Sequence, residues 1–277
     1  LLARFAGEKI TFGQGMTNDL VGWRAHYEND CVRFSACTDL AREETRIGIP
    51  GGFSLYNALA ALCAVQALGV PLHALAEALQ DCTGVKGRCE VVPMQAPFTV
   101  IIDYAHTPDG LKNILSTVGT FADGRVIALF GCGGDRDKSK RPLMAHIAAK
   151  NADFVVLTSD NPRTEDPYAI LRDALPGLLA ERTPFAVIEE RRRAIAFALE
   201  EARAGDVIVL CGKGHETYQE IGTTKYHLDE REVVRECFAR EQRKEAAQAA
   251  KENEHEDHHR LYSELRGIRD HGEISGS

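Results

Sequence analysis

Five short apolar runs separated by helical stretches constrain the fold of this chain more than any other feature of its sequence. The runs cover residues 98–102, 126–130, 154–157, 185–188 and 207–210. Each is rich in β-branched or aromatic residues without strict alternation, as strands buried on both faces are. Helical stretches lie between them, at about 109–119, 140–151, 167–181 and 190–203. Strands that alternate with helices at this spacing form βαβ units, so the pattern predicts an α/β fold with a doubly wound, parallel sheet.

The first part of the chain has a different pattern, in which short β segments precede two helices. Residues 24–27 and 31–34 alternate polar and apolar side chains around a turn, which predicts a β-hairpin. Residues 53–68 are rich in Ala and Leu and predict a helix. Pro71 then opens a second predicted helix that ends near Leu79.

Length and composition exclude several classes of protein. The 277 residues predict about two domains. The formal net charge of -8 argues against nucleic acid as the main partner, because phosphate binding needs a basic face. No apolar run approaches the about 20 residues of a membrane helix. The eight cysteines contain no C-x-x-C pair, so we expect free thiols in a reducing, cytoplasmic compartment.

Four of the five predicted strands end in unusual polar clusters. These clusters are residues 103–109, 131–138, 160–167 and 212–216, which follow the first, second, third and fifth strands. In open α/β sheets, ligands bind outside the carboxyl ends of the strands. Four such clusters with both signs of charge predict a site for a zwitterionic or multiply charged small molecule.

The cluster at residues 160–163 offers opposite charges on a turn that Pro162 stiffens. Asp160 and Arg163 can hold an ammonium and a carboxylate of one ligand, because the planar guanidinium donates two parallel hydrogen bonds. Arg136 can hold a second carboxylate, and Glu216 can accept from an ammonium. Each residue also has a competing structural interpretation. Residues 160–163 can be a surface turn with a local ion pair, Arg136 can be a solvated arginine, and Glu216 can be an exposed helix cap.

The glycine-rich cluster at residues 131–134 matches neither common phosphate-binding motif. It is not G-x-G-x-x-G, and G-x-x-x-x-G-K-[ST] occurs nowhere in the chain. Its glycines fit close approach of the backbone to a ligand, tight helix–strand packing or a plain strand–helix turn.

Several of these segments together resemble the Mur ligases of peptidoglycan synthesis, specifically the UDP-N-acetylmuramoyl-tripeptide synthetase (MurE) branch. The segments are residues 56–61 (YNALAA), 84–90 (GVKGRCE), 103–109 (DYAHTPD), 131–144 (GCGGDRDKSKRPLM), 159–167 (SDNPRTEDP) and 212–216 (GKGHE), in family order. The resemblance implies a Rossmann-like, mostly parallel C-terminal domain at residues 93–240, which binds an amino acid. It also implies a remnant of the central ATP-binding domain at residues 1–92. Residues 241–277 match nothing in the family, and we expect a charged tail there, helical or disordered.

The resemblance implies an ATP-dependent amide ligase that adds meso-diaminopimelate to UDP-N-acetylmuramoyl-L-alanyl-D-glutamate through an acyl phosphate, with Mg²⁺. The Asp-Asn-Pro-Arg form of residues 160–163 looks like the branch that uses meso-diaminopimelate rather than lysine. Lysine lacks the far carboxylate, and a buried Arg163 without that partner costs about 1–3 kcal/mol or more. We expect a cytoplasmic monomer whose partners are these small molecules, with no nucleic acid and no membrane.

The resemblance also implies roles for individual residues. For ATP, the implied residues are Asn57 at the adenine, Arg88 at the γ-phosphate, and Asp103, Tyr104 and His106 along the nucleoside. For meso-diaminopimelate, they are Arg136, Asp160, Asn161, Pro162, Arg163, Gly212 and Glu216. We assign no catalytic residue and no metal ligand within this chain.

The chain departs from the family at its beginning. The UDP-sugar domain, the phosphate-binding loop and the lysine that helps to hold magnesium have no counterpart in it, so we expect a fragment that is inactive alone. Two alternatives stay open: a sister ligase such as folylpolyglutamate synthetase, and a non-catalytic amino-acid-binding module. The motifs at residues 160–163 and 212–216 count against the first, and coding DNA upstream of Leu1 would test the second.

Overall fold

The computed structural model describes residue 7, residues 9–240 and residues 242–243 of the chain. It divides into two compact units, residues 1–233 and 234–277. In the first unit, the strands are β1 (Phe12–Gly13), β2 (Leu20–Tyr27), β3 (Val32–Cys37), β4 (Arg42–Ile47), β5 (Glu90–Val91), β6 (Thr99–Asp103), β7 (Val126–Cys132), β8 (Phe154–Ser159), β9 (Phe185–Val187), β10 (Val207–Cys211), β11 (Tyr218–Ile221) and β12 (Thr224–His227). The helices are α1 (Gly52–Gln66), α2 (Leu72–Gln80), α3 (Pro108–Val118), α4 (Lys140–Asn151), α5 (Pro167–Leu179) and α6 (Arg191–Glu201). Residues 230–233 are also helical, as are residues 234–240 and 242–243 of the second unit.

A four-stranded sheet in the order β1-β2-β3-β4 occupies the first part of the chain. Strands β2 and β3 pair antiparallel, which confirms the predicted hairpin. Helix α1 packs closely on this sheet, since a Cβ atom at Gly22 would lie 2.9 Å from Leu55 and 3.0 Å from Leu59. Pro71 stands just before α2 rather than at its first residue, because its ψ of 146° is extended.

A six-stranded sheet in the order β5-β6-β10-β7-β8-β9 forms the larger part of the unit. All five strands predicted from the apolar runs are present, and they are parallel to one another. Only β5 pairs antiparallel, at the edge beside β6. The mostly parallel, doubly wound sheet is therefore confirmed. All residues of β7 and β10 are buried, which explains their apolar composition and their central positions.

The strand order brings the four polar clusters to one edge of this sheet. The last parallel strand, β10, inserts between β6 and β7, and β8 follows β7. The strands β6, β10, β7 and β8 are therefore neighbours, and these are the four strands whose carboxyl ends carry the clusters. Strand β9, which has no such cluster, lies at the far edge of the sheet.

Helices α3 and α5 begin at caps that their sequences provide. The Thr107 side chain accepts from the backbone N–H of Gly110 at the start of α3, and Asp166 accepts from Tyr168 at the start of α5. Pro108 and Pro167 occupy the first positions of these helices, where a missing N–H costs nothing.

The hairpin of β11 and β12 was not predicted from the sequence. Its strands are four residues each and only partly buried or exposed, so they carry no apolar run. Strand β11 nevertheless reaches the turn after β8, where Arg163 and Ile221 form a bridge.

Among the described residues, two clusters of buried apolar side chains stabilise the first unit, and the partly buried Ile49 packs against both. One contains residues 20–72 of the four-stranded sheet and its helices, and the other contains residues 89–211 of the six-stranded sheet. The division at residue 92 stays a prediction. The predicted tail at 241–277 lies outside the described residues except for 242–243. Among the described residues, no helix has the length and apolar character that crossing a membrane requires.

Candidate functional site

A cavity of about 360 Å³ lies at the carboxyl ends of β6, β10, β7 and β8. Eight of the residues predicted to bind ligands line it: Tyr104, His106, Arg136, Asp160, Asn161, Arg163, Gly212 and Glu216. Pro162 is buried beside them without lining the cavity. The four loops thus meet in one place, as the position of their clusters after the strands predicts.

The acidic side of the cavity is a network of three buried polar residues, Asp160, Asn161 and Lys213, and the half-buried Glu216. Asn161 Nδ2 donates to Glu216 Oε2 at 3.1 Å, and Asn161 Oδ1 accepts from Lys213 Nζ at 2.8 Å. Lys213 Nζ also forms ion pairs with Asp160 Oδ1 at 3.1 Å and with Glu216 Oε2 at 3.5 Å. This side of the cavity presents two carboxylates, with one ammonium behind them.

Arg163 forms the basic side of the cavity and has an unusual backbone conformation. Its φ of 50° lies in the left-handed region, which a non-glycine residue adopts at a cost and most often at functional sites. Its Nη1 donates to the carbonyl of Gly134 at 2.8 Å, and its Nε donates to Glu220 Oε2 at 3.2 Å. The guanidinium therefore has a defined position next to the cavity, which it lines.

Arg136 is the second predicted arginine of the site, and it is exposed. Its side chain donates a hydrogen bond from Nη1 to the carbonyl of Asp135 at 3.0 Å. Because this bond spans adjacent residues and the side chain is in solvent, Arg136 can turn toward a bound anion with little change in its surroundings.

A second network holds the two loops after β7 and β8 together. Glu165 accepts from Arg141 Nη2 at 2.7 Å and from the backbone N–H of Asp135 at 2.6 Å. Lys138 Nζ lies 3.1 Å from the same carboxylate. These partners, Arg141 first, lower the pKa of Glu165 to about 2. The loop geometry at the cavity is thus fixed by a carboxylate that stays ionised at neutral pH.

A second cavity of about 330 Å³ lies near the start of α1 and α3. Arg88 and Asp103 line it together with Phe53. Both oxygens of Asp103 accept backbone N–H groups at 2.8 Å, from Cys89 and Ala105, and burial raises the pKa of this carboxyl above its ordinary value. Asp103 is therefore engaged in holding the chain at the end of β6.

The Tyr104 ring connects the residues of the two cavities. Arg88 Cζ lies 5.1 Å from the centre of this ring, and the His106 ring lies 4.6 Å from it. His106 Nδ1 donates to the Tyr104 carbonyl at 2.8 Å. Asn57 is exposed on α1 and lines neither cavity. The structure thus brings together Arg88, Tyr104 and His106, and leaves Asn57 outside this group.

The thiol of Cys132, which lines the larger cavity, is protonated at neutral pH. Burial raises the pKa of the Cys132 thiol to about 12, so the nucleophilic thiolate is not populated. None of the eight cysteines forms a disulfide bond, as the sequence predicts.

Among the described residues, one group of three potential metal ligands lies close together: Glu28, Asp30 and Cys31. None of these residues lines either cavity. The carboxylates of the larger cavity are instead compensated by Lys213. Among the described residues, no such group of three lies at either cavity.

Two partners of the predicted residues were missed from the sequence. Lys213 had a detectable signal, because a lysine between two glycines directly after a buried strand lies inside the cluster at residues 212–216. Glu220, the partner of Arg163, had none, because it lies on the short polar strand β11.

The chain is similar to known proteins both in sequence and in structure. The family model described as Mur ligase, glutamate ligase domain, matches residues 87–214. The UDP-N-acetylmuramoyl-L-alanyl-D-glutamate–2,6-diaminopimelate ligase of Clostridium botulinum is 45% identical over 240 residues, which are 86% of this chain and 49% of the relative. The ligase of the same name from Caldanaerobacter subterraneus is 51% identical over 208 residues, which are 75% and 43% of the two chains.

A solved structure of a UDP-N-acetylmuramoyl-L-alanyl-D-glutamate–2,6-diaminopimelate ligase superposes with a TM-score of 0.71 at 36% sequence identity. The superposition covers 84% of this chain and 48% of that one. The chain thus spans about half the length of the curated relatives it matches. The matched residues 87–214 include the polar loops after β6, β7 and β8 and the first part of the loop after β10. The chain belongs to the Mur ligase family and carries its glutamate ligase domain over residues 87–214.

Proposed function

We propose that the chain is the C-terminal part of an ATP-dependent amide ligase of peptidoglycan synthesis. The reaction joins meso-diaminopimelate to UDP-N-acetylmuramoyl-L-alanyl-D-glutamate. The observation that carries the proposal is the cavity at the sheet edge, where Asp160 and Glu216 face the same space as Arg163 and Arg136. Two relatives and one solved structure carry the name of this ligase and support the choice of substrate.

The charges of the cavity fit the two ends of meso-diaminopimelate. Its far end carries an ammonium and a carboxylate. Asp160 and Glu216 can accept hydrogen bonds from the ammonium, and Arg163 can donate two hydrogen bonds to the carboxylate. Arg136 is placed to hold the other carboxylate. Lysine has the ammonium and no far carboxylate, so it would leave Arg163 without its ligand partner. The cavity therefore favours meso-diaminopimelate over lysine.

The role of this domain in the reaction is to bind and orient the amine. ATP transfers its γ-phosphoryl group to the carboxylate of the UDP-muramoyl dipeptide, which gives an acyl phosphate and ADP. The unprotonated amine of meso-diaminopimelate then attacks the acyl carbon and the C–N bond forms. Phosphate leaves with the electron pair of the broken C–O bond, and the nitrogen releases its extra proton to solvent. Binding the far ammonium and the far carboxylate in the cavity leaves the other amine free to attack.

We place the nucleotide along the surface of Arg88, Tyr104 and His106, which lie together beside the second cavity. Arg88 would contribute a cation to the γ-phosphate. Asp103 and Asn57 complete the set expected from the family, although Asp103 acts through the backbone groups it holds. The family uses Mg²⁺, and among the described residues no group of three potential metal ligands lines these cavities.

Three further properties belong to the proposal. Residues 1–92 would be the end of a central ATP-binding domain and residues 93–240 the amino-acid-binding domain, since the apolar clusters of residues 20–72 and 89–211 share no buried member. The eight cysteines, which form no disulfide, fit a reducing cytoplasm. The third property is a monomeric state, which size-exclusion chromatography tests.

Amino-acid titrations of the ¹⁵N-labelled chain, followed by NMR, test the proposal. We expect meso-diaminopimelate to shift the signals of the cavity loops and L-lysine to bind at least about tenfold more weakly. L-Glutamate serves as the matched ligand for the folylpolyglutamate alternative, because it has two carboxylates and a single ammonium. Equal affinity for meso-diaminopimelate and lysine, or a preference for glutamate, would overturn the assignment.

A further inference from the structure

The side chain of Lys213 is fully buried, which is rare for an ammonium group. Its Nζ lies within 3.5 Å of one oxygen each of Asn161, Asp160 and Glu216. These three residues line the larger cavity, whereas Lys213 does not. Any effect of Lys213 on a bound molecule therefore passes through the three residues it holds.

Lys213 determines how the Asn161 amide is oriented. Asn161 Oδ1 accepts two hydrogen bonds, from Lys213 Nζ at 2.8 Å and from the backbone N–H of Glu220 at 2.9 Å. An ammonium and a backbone amide can only donate, so the oxygen must face them. Asn161 Nδ2 is then directed to Glu216 Oε2, to which it donates at 3.1 Å. The position of the Glu216 carboxylate thus follows from the position of Lys213.

Lys213 also determines the charge that a ligand meets. Asp160 and Glu216 together carry two negative charges, and the buried ammonium compensates one of them. The remaining single charge matches one ammonium of a ligand. Free meso-diaminopimelate is neutral overall at pH 7, with two ammonium groups and two carboxylates, whereas free L-lysine carries one net positive charge. A cavity with one more negative charge would attract lysine more strongly relative to meso-diaminopimelate.

We propose that Lys213 is a positioning residue that sets the preference of the cavity for a neutral, doubly zwitterionic amino acid over a cationic one. This inference rests on the proposed function of the cavity. It adds a cause of selectivity that lies behind the acidic wall, in addition to the direct pairing of Arg163 with a carboxylate.

The test compares Lys213→Met, which removes the charge, with Lys213→Arg, which keeps it. The ¹⁵N-labelled variants are titrated with meso-diaminopimelate and L-lysine. In Lys213→Met, we expect the ratio of the two affinities to shift toward lysine at least about tenfold, because the compensating charge lies within a few ångströms of both carboxylates. We also expect the side-chain amide signals of Asn161 to move before ligand is added. Lys213→Arg should keep the preference of the original chain.

Lys150→Met is the matched control, because Lys150 is exposed and its loss changes the net charge equally. It should leave the ratio unchanged. If Lys213→Met leaves the ratio of the two affinities unchanged, whether or not both affinities fall, the role of Lys213 is overturned and the proposed function stays intact. Binding of neither amino acid by the original chain would overturn the proposed function and this inference with it.

Circular dichroism monitors folding of each variant. If Lys213→Met does not fold, Lys213→Gln takes its place, since it removes the charge and retains a donor for Asn161. The same shift toward lysine is expected. Failure of both variants to fold would assign Lys213 to the stability of the loop and overturn its role in selectivity.

Discussion

The guanidinium of Arg191 forms a fully buried ion pair with the carboxylate of Glu230, at 2.8 Å. Arg191 also donates to the carbonyls of Ser159 and Cys211, at 3.2 and 2.9 Å. These carbonyls are the last of β8 and β10, directly before Asp160 and Gly212 of the cavity. Burial alone would lower the pKa of Arg191, but the nearby carboxylates of Glu230 and Asp160 raise it. A permanently charged group thus joins two strand ends beneath the site.

Replacing Arg191 with methionine is expected to lower the free energy of unfolding by about 3–5 kcal/mol, because Glu230 would remain buried without its partner. Urea unfolding measures the loss. Arg193→Met is the control, since Arg193 is exposed on the same helix, and it should change the free energy by less than about 0.5 kcal/mol. Similar losses in the two variants would contradict a specific role of the buried pair.

Arg163→Ala is expected to weaken binding of meso-diaminopimelate at least about tenfold, because the far carboxylate loses two charge-assisted hydrogen bonds. Affinity for L-lysine should stay the same or rise, since lysine has no far carboxylate for Arg163 to bind and the variant removes a positive charge from the cavity. NMR titration of the two amino acids measures the difference. Arg172→Ala removes the same charge from an exposed position and should change neither affinity. Equal losses for both amino acids would refute the assigned role.

Glu165→Gln is expected to remove a pH-dependent contribution to stability. The pKa of Glu165 is lowered from 4.5 to about 2, so the stabilisation is complete above about pH 4.5 and is lost as the pH falls through 2. The free energy of unfolding of the original chain should therefore exceed that of the variant at neutral pH, and the two should converge toward pH 2. Urea unfolding from pH 7 to pH 2 measures both.

Glu200→Gln provides the control for the pH series, because Glu200 is exposed near the end of α6. Its stability should follow that of the original chain at every pH. A gap between the original chain and Glu165→Gln that stays constant from pH 7 to pH 2 would show that ionisation of Glu165 is not its source.

Gly177→Ala is expected to destabilise the contact between α4 and α5. A Cβ atom at Gly177 would lie 2.0 Å from the carbonyl oxygen of Pro142 and 2.8 Å from the backbone nitrogen of His146. The two helices would have to separate, at a cost of about 1–3 kcal/mol. Thermal unfolding measures this cost. Gly119→Ala is the control, because its Cβ would meet only ordinary contacts at 3.4 Å or more, and it should be neutral or slightly stabilising.

Much of the fold could be predicted because its elements have strong local patterns. The apolar runs predicted β6 through β10, and capping residues such as Thr107 and Asp166 fit the helix starts. The β11–β12 hairpin could not be predicted, because four-residue polar strands have no apolar periodicity. Strand β11 is also bridged to Arg163, a contact between residues far apart in the chain.

The sequence predicted which residues belong to the candidate site. It did not predict which of these residues form hydrogen bonds or ion pairs with one another. The loop residues Asp160, Arg163 and Glu216 all line the cavity, as their positions after strands indicated. That Glu220 pairs with Arg163, and that Lys213 lies between Asp160 and Glu216, depends on distances between different loops. These distances cannot be read from the spacing of the residues along the chain.

The sequence by itself determined which segments become strands and helices, and which loops carry charge, because these properties depend on neighbours within a few residues. Tertiary structure decided that β10 inserts between β6 and β7. The fully apolar β10 is buried on both faces only in the middle of the sheet, whereas the partly exposed β9 can lie at the edge. That order brings the Gly212 loop after β10 within one strand of the Asp160 loop after β8, with β7 between them. There the buried ammonium of Lys213 meets the carboxylates that the sequence alone left unpaired.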